Sequence, residues 1–117
     1  MFGRTIGAAV GELDGMILID VALTTNEAHR TAFLDLLRDT VTGSLEEEGC
    51  VTYRATVALD DPLRFHLLEL WEDEPAYLAH SKGPILARFL RQLPNCGNVL
   101  SIERRQGALA PYPAART

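Results

Sequence analysis

Three side chains near the middle of this chain have the types and spacing for proton transfer on an aromatic ligand: Glu69, Trp71 and His80. Glu69 and Trp71 stand two apart in the run 64–71 (RFHLLELW), and in a strand that spacing puts both on one face. A carboxylate there can act as a general base or accept a hydrogen bond, and an indole can wall a pocket and orient a planar ring. His80 closes a short helical stretch, where an imidazole at a pocket mouth is the side chain best suited to take a proton near neutral pH. His66 falls on the opposite strand face, toward an expected subunit interface, and His29 at a solvated position. No spacing of His, Cys or carboxylates matches a metal-ligand pattern, so no metal site is expected.

The elements that must hold these residues follow from periodicity. Residues 16–23 (MILIDVAL) form a branched apolar run broken only by Asp20, expected as a central strand buried on both faces. After the capping residues Thr24 to Glu27, Phe33, Leu36, Leu37, Thr40 and Val41 recur at helical spacing. They predict an amphipathic helix over 27–45, with Gly49 as its stop. Residues 50–59 alternate, with Val51, Tyr53, Ala55 and Val57 on one face; Asp60-Asp61-Pro62 reads as a turn, and 64–71 returns as the hairpin partner. Glu74-Pro75 opens a short helix to about His80, and Ser81-Lys82-Gly83-Pro84 interrupts it. Ile85, Leu86, Phe89, Leu90 and Leu93 define another helix, and residues 96–105 a last strand. Residues 1–15 are expected as a flexible extension, 16–106 as the folded domain and 107–117 as a tail, with Met16 an alternative start.

The order β-α-β-β-α-β is the split βαβ arrangement, a ferredoxin-like α+β fold with a four-stranded antiparallel sheet and its helices on one face. The other face stays uncovered. The third strand brings Leu68 and Leu70 to it, and Ile17, Ile19, Val21 and Leu23 share one face of the first strand. A monomer would expose much of this apolar area, so a homodimer through the open sheet face is expected. The second and fourth strands would lie at opposite edges, too far apart for Cys50 and Cys96 to bond within one subunit.

A chain of 117 residues suffices for one domain, and 47% hydrophobic residues exclude a disordered one. The net charge of −5 argues against nucleic acid or an anionic membrane as partner. No apolar run approaches the roughly 20 residues of a membrane span. Ile6 to Val10 is too short for the core of a signal peptide, so a cytoplasmic protein with free thiols is expected.

Two segments carry a family resemblance. Glu48-Gly49-Cys50-Val51-Thr52-Tyr53 resembles the E-x-G-C-x-x-Y segment opening the second strand of antibiotic biosynthesis monooxygenase domains. Phe65-His66-Leu67-Leu68-Glu69-Leu70-Trp71, followed by Ala76 and His80, resembles their F-x-x-x-E-x-W…A-x-x-x-H segment. The resemblance runs from Met16 to about Arg105. It implies a dimeric α+β barrel with a pocket between each subunit's sheet and helices. It also implies a monooxygenase that oxidises a phenol or hydroquinone with O2 and needs no cofactor, because loss of the phenolic proton lets the substrate itself reduce O2. His80 matches a family position. Tyr77, six positions after Trp71, falls where related enzymes have a pocket tyrosine, and Leu67 where they have an asparagine. They also use an arginine on the last helix, here Arg88 or Arg91. Phe65, Leu67, Tyr77, Arg88 and Arg91 are thus the expected substrate contacts. The haem-degrading branch requires a histidine on the last helix, and residues 85–93 contain none; it also favours an asparagine where this chain has Asp20. The remaining alternative is a non-catalytic dimer that binds a small apolar ligand, or an isomerase of the same fold.

Overall fold

A computed structural model describes residues 15–107. The expected extension and tail fall almost wholly outside the described residues. The elements are β1 (Met16–Thr25), a 3-10 turn (Glu27–His29), α1 (Arg30–Leu45), β2 (Cys50–Ala58), β3 (Asp61–Trp71), α2 (Glu74–Ser81), α3 (Pro84–Gln92), a second 3-10 turn (Leu93–Asn95) and β4 (Gly97–Gly107). The four strands form one antiparallel sheet in the order β2-β3-β1-β4. This is the expected split βαβ topology. Cys50 and Cys96 sit near opposite edges as buried free thiols.

All three helices cover the same sheet face. Phe33, Leu36 and Leu37 of α1 and Phe89 of α3 close on Ile17, Ile19, Val21 and Leu23 of β1, and on Phe65, Leu67 and Trp71 of β3. β1 therefore turns its branched stripe toward the helices, not toward the open face. Its alternate residues from Leu18 to Thr24 are only half-buried, because no helix covers that side; the strand is not buried on both faces.

Local chemistry shifts three boundaries. Asn26 caps the chain through its side chain, accepting from the His29 N–H at 3.0 Å, so the helical segment enters through a 3-10 turn before α1. β3 begins at Asp61, so Pro62 sits near the start of a strand, where its missing N–H disturbs the ladder least. A register shift between Cys50 and Thr52 makes Val51 the extra residue of a bulge. Val51 consequently leaves the face of Tyr53 and joins Met16, Leu70 and Leu18 in a small apolar cluster on the open side.

Two glycines are required by close approach. Gly49 turns the chain out of the α1–β2 connection at φ +81°, and a Cβ there would stand 2.4 Å from the Ala76 Cβ. Gly97 lets β4 pass under α1, where a Cβ would meet Phe33 Cε1 at 2.6 Å. Among the described residues no helix is long and apolar enough to cross a membrane.

Candidate active site

Strand register builds the site row by row. Tyr53 of β2 lies opposite Glu69 of β3, which lies opposite Ile19 of β1, which lies opposite Arg104 of β4. The next row toward the sheet centre is Ala55, Leu67, Val21 and Ile102. Above these rows, Asp73 caps α2 by accepting from the Ala76 N–H at 2.9 Å, and Pro75 occupies its first turn. α2 thereby presents Tyr77 and His80 to the sheet. Pro84 starts α3 at a new angle, bringing Leu86, Phe89 and Leu90 over the same rows. Between them lies a cavity of about 200 Å³. Ile19, Val21, Leu67, Leu86 and Phe89 supply apolar wall, while Glu69, Tyr53, His80 and Tyr77 bring the polar groups. It opens past Leu90, Val99 and Ile102, apolar residues that remain exposed.

The polar end has a defined geometry. His80 is 2% exposed and lies against Trp71, with ring centroids 4.5 Å apart. Its Nδ1 is 2.6 Å from Glu47 Oε1. A carboxylate at that distance accepts, so Nδ1 carries the proton and Nε2 is left as the acceptor. Nε2 is 3.7 Å from Glu69 Oε1, beyond hydrogen-bond length, and finds no protein partner. The Trp71 indole N–H donates to Glu69 Oε1 at 3.1 Å. Burial pushes the Glu69 carboxyl above its usual range, against the downward pull of the Trp71 hydrogen bond and of His80. Burial, and then the charge of Glu69, holds the Tyr53 phenol protonated well above its ordinary range. The arrangement joins an apolar cavity to an imidazole acceptor flanked by two carboxylates. Among the described residues no cluster of three or more His, Cys, Asp or Glu could hold a metal.

Placement of the expected residues is mixed. Glu69, His80, Tyr77 and Leu67 come together at the cavity. His80 is not at a pocket mouth but buried behind it, since α2 runs low over β3. Trp71 is fully buried and does not line the cavity; it backs His80 and orients Glu69 instead of walling the pocket. Phe65 lies two rows beyond Glu69, its ring tilted against that of Phe33 with centroids 5.2 Å apart, and lines a separate groove between α1 and β2. Arg88 points to α1, where it pairs with Asp39 at 3.1 Å, and Arg91 is exposed and absent from the cavity wall. Arg104 of β4 instead sets its guanidinium 5.2 Å from the Tyr77 ring centroid and also pairs with Glu74.

Glu47 and Tyr53 are the site residues not anticipated as such. Glu47 stands two positions before Gly49, where the glutamate of an E-x-G-C segment falls, so that spacing singles it out ahead of Glu48. Tyr53 was readable too: a hairpin centred on Asp61 sets residue 53 opposite 69.

The fold defines an α+β protein of the split βαβ class with a buried histidine beside a small apolar cavity. The chain belongs to the antibiotic biosynthesis monooxygenase family, whose model matches residues 16–92. Among solved structures it resembles a conserved protein of Methanosarcina mazei at 20% identity and TM-score 0.76, covering 84% of this chain and 98% of that one. A Bacteroides thetaiotaomicron protein described as a possible oxidoreductase matches at 22% identity and TM-score 0.74, covering 80% and 98%. A Deinococcus radiodurans protein described as a candidate antibiotic biosynthesis monooxygenase matches at 21% identity and TM-score 0.68, covering 86% and 97%. These likenesses establish the fold. A search among curated proteins finds no match.

Proposed function

We propose that this protein is a cofactor-independent monooxygenase that oxidises a phenolic or hydroquinone-type aromatic with O2. The observation that carries the reading is the buried His80 imidazole in the wall of an apolar cavity, its Nδ1 held by Glu47 and its Nε2 left without a partner beside Glu69. A phenol seated there gives its proton to Nε2, and the imidazolium that forms is stabilised by Glu47 and Glu69. The electron-rich anion then passes electrons to O2. For a phenol oxidised at an unsubstituted ring carbon to a quinone, two hydrogens leave, one oxygen atom enters and the other departs as water. The substrate thus supplies all four electrons and no outside reductant is needed. Glu47 is a positioning residue in this scheme; His80 touches the substrate. The apolar walls exclude water from the anion.

The working unit in this proposal is a homodimer in the cytoplasm. The sheet face that no helix covers, where Leu18, Ala22 and Leu68 stay only half-buried, supports the pairing. Oxygen uptake by the purified protein over a panel of phenols and hydroquinones tests the activity. Uptake that is lost in His80→Ala supports it. Phenols that bind but are never consumed would leave the same cavity as a binding pocket for small aromatics.

A further inference from the structure

Tyr53 takes no part in the proton transfer above, yet its hydroxyl is buried beside Ser44 and Glu69 without a hydrogen bond of good geometry to either. The side chain is 2% exposed and lines the cavity, and its oxygen has Ser44 and the Glu69 carboxylate close by but neither within hydrogen-bond geometry. His80 Nε2, the other unpartnered polar atom at this cavity, belongs to a ring whose centroid is 5.6 Å from that of Tyr53. Glu69 sits beside both. A buried polar atom without a partner is costly, so two at one end of one cavity point to a ligand group that satisfies them together.

We propose that Tyr53 is a specificity-determining residue: its hydroxyl and His80 Nε2 form a two-point receptor for a single un-ionised hydroxyl on a one-ring ligand. The inference rests on the functional reading above, in that the ligand occupies the same cavity. The donor and acceptor inventory selects the group. Tyr53 stays protonated, because burial and Glu69 oppose its ionisation, so it donates. Nε2 accepts, because Nδ1 is committed to Glu47. One ligand atom must therefore accept from Tyr53 and donate to His80. A hydroxyl does both; an ether or ketone oxygen only accepts, and a carboxylate adds a charge next to Glu69. Size narrows the class further. A cavity of about 150 Å³ accommodates benzene, so about 200 Å³ takes one substituted ring and leaves larger ring systems to protrude past Leu90 and Ile102.

Binding can be read without turnover, because Trp71 is the single tryptophan of the chain and stacks on His80. Its fluorescence is titrated anaerobically with phenol, anisole and toluene, ligands of one ring that differ in the polar group. Wild type is expected to bind phenol at least fivefold more tightly than anisole or toluene. Tyr53→Phe removes only the oxygen; it should weaken phenol roughly five- to tenfold and leave toluene unchanged. Equal affinity of the wild type for phenol and toluene overturns the proposal without any variant. So does a folded Tyr53→Phe protein that binds phenol as tightly as wild type. Absence of oxygen uptake with a phenol that nonetheless shows this preference counts against the monooxygenase and leaves the receptor standing.

Discussion

Among the described residues, two histidine–carboxylate pairs of nearly equal length lie on opposite faces of one sheet. Under the helices, His80 Nδ1 meets Glu47 at 2.6 Å, with side chains 2% and 21% exposed. On the open face, His66 Nδ1 meets Asp20 at 2.7 Å, with side chains 45% and 38% exposed. Distance alone does not distinguish them. Surroundings do: the first pair has an indole against the ring, a second carboxylate 3.7 Å from the far nitrogen and an apolar cavity beyond. The second pair is bathed in solvent or, in a dimer, set at the interface. A low-dielectric setting makes a fixed tautomer and a directed lone pair consequential, whereas an exposed pair is screened and can re-form many ways.

The largest effect expected from breaking this contrast is on turnover. His80→Ala should lower kcat by roughly 10²–10⁴-fold, the range for a positioned acid or base. Because the ring is buried against Trp71, the same change should also cost about 2–4 kcal/mol of stability, as a core truncation does. Glu47→Gln should lower kcat less, since the ring stays in place while its tautomer loosens. His66→Ala should leave kcat per folded chain unchanged. Steady-state kinetics paired with denaturant melts separates these outcomes, and equal losses in His80→Ala and His66→Ala would erase the distinction.

A second effect belongs to the open face as a whole. Leu68→Arg places a charge on the central strand beside the His66 row, and should shift a micromolar sample toward monomer in sedimentation velocity. A wild-type protein that sediments as a monomer removes the premise.

Much of this architecture was legible from periodicity. Period two put Glu69 and Trp71 on one face, and the helical spacing of Phe33, Leu36 and Leu37 identified the covering helix. What stayed hidden depended on contacts between distant residues. The bulge at Val51 reverses one side chain through a ladder irregularity that alternation cannot reveal. The Glu47–His80 bond spans 33 residues and exists only once α2 folds over the end of α1. Arg88 reads as a pocket arginine until Asp39 on the facing helix claims it. Trp71 pointed the right way, but the depth of His80 above it decided that it supports the pocket and does not line it.

A third effect tests whether burial governs the site electrostatics. The folded Glu69 carboxyl is raised above its unfolded value, so the folded state holds the proton longer. As pH rises from about 4.3, the ordinary glutamate value, the unfolded chain releases its proton first. Stability should therefore fall until pH passes the raised folded value, then level off. Glu69→Gln keeps an acceptor for the Trp71 N–H and removes the titration. The difference in Tm between variant and wild type should grow in favour of the variant across that window. A difference that does not change with pH would mean that Glu69 ionises as freely inside the protein as outside it.

The smallest effect is the most direct comparison of the two pairs. A double-mutant cycle of Asp20→Asn and His66→Ala isolates their coupling from the loss of each side chain's other contacts. Both groups are more than a third exposed, so the coupling should be about 0.2–1 kcal/mol and should shrink as salt is raised. The matching cycle of Glu47→Gln and His80→Ala should give a larger coupling, toward the roughly 1.5–3 kcal/mol of a hydrogen bond to a charged group, with little response to salt. Both cycles are measured by denaturant melts at low and high ionic strength. If a dimer buries Asp20 and His66, their coupling should rise with protein concentration while that of Glu47 and His80 stays constant. Equal couplings with equal salt dependence would show that length, not surroundings, sets the strength of these pairs.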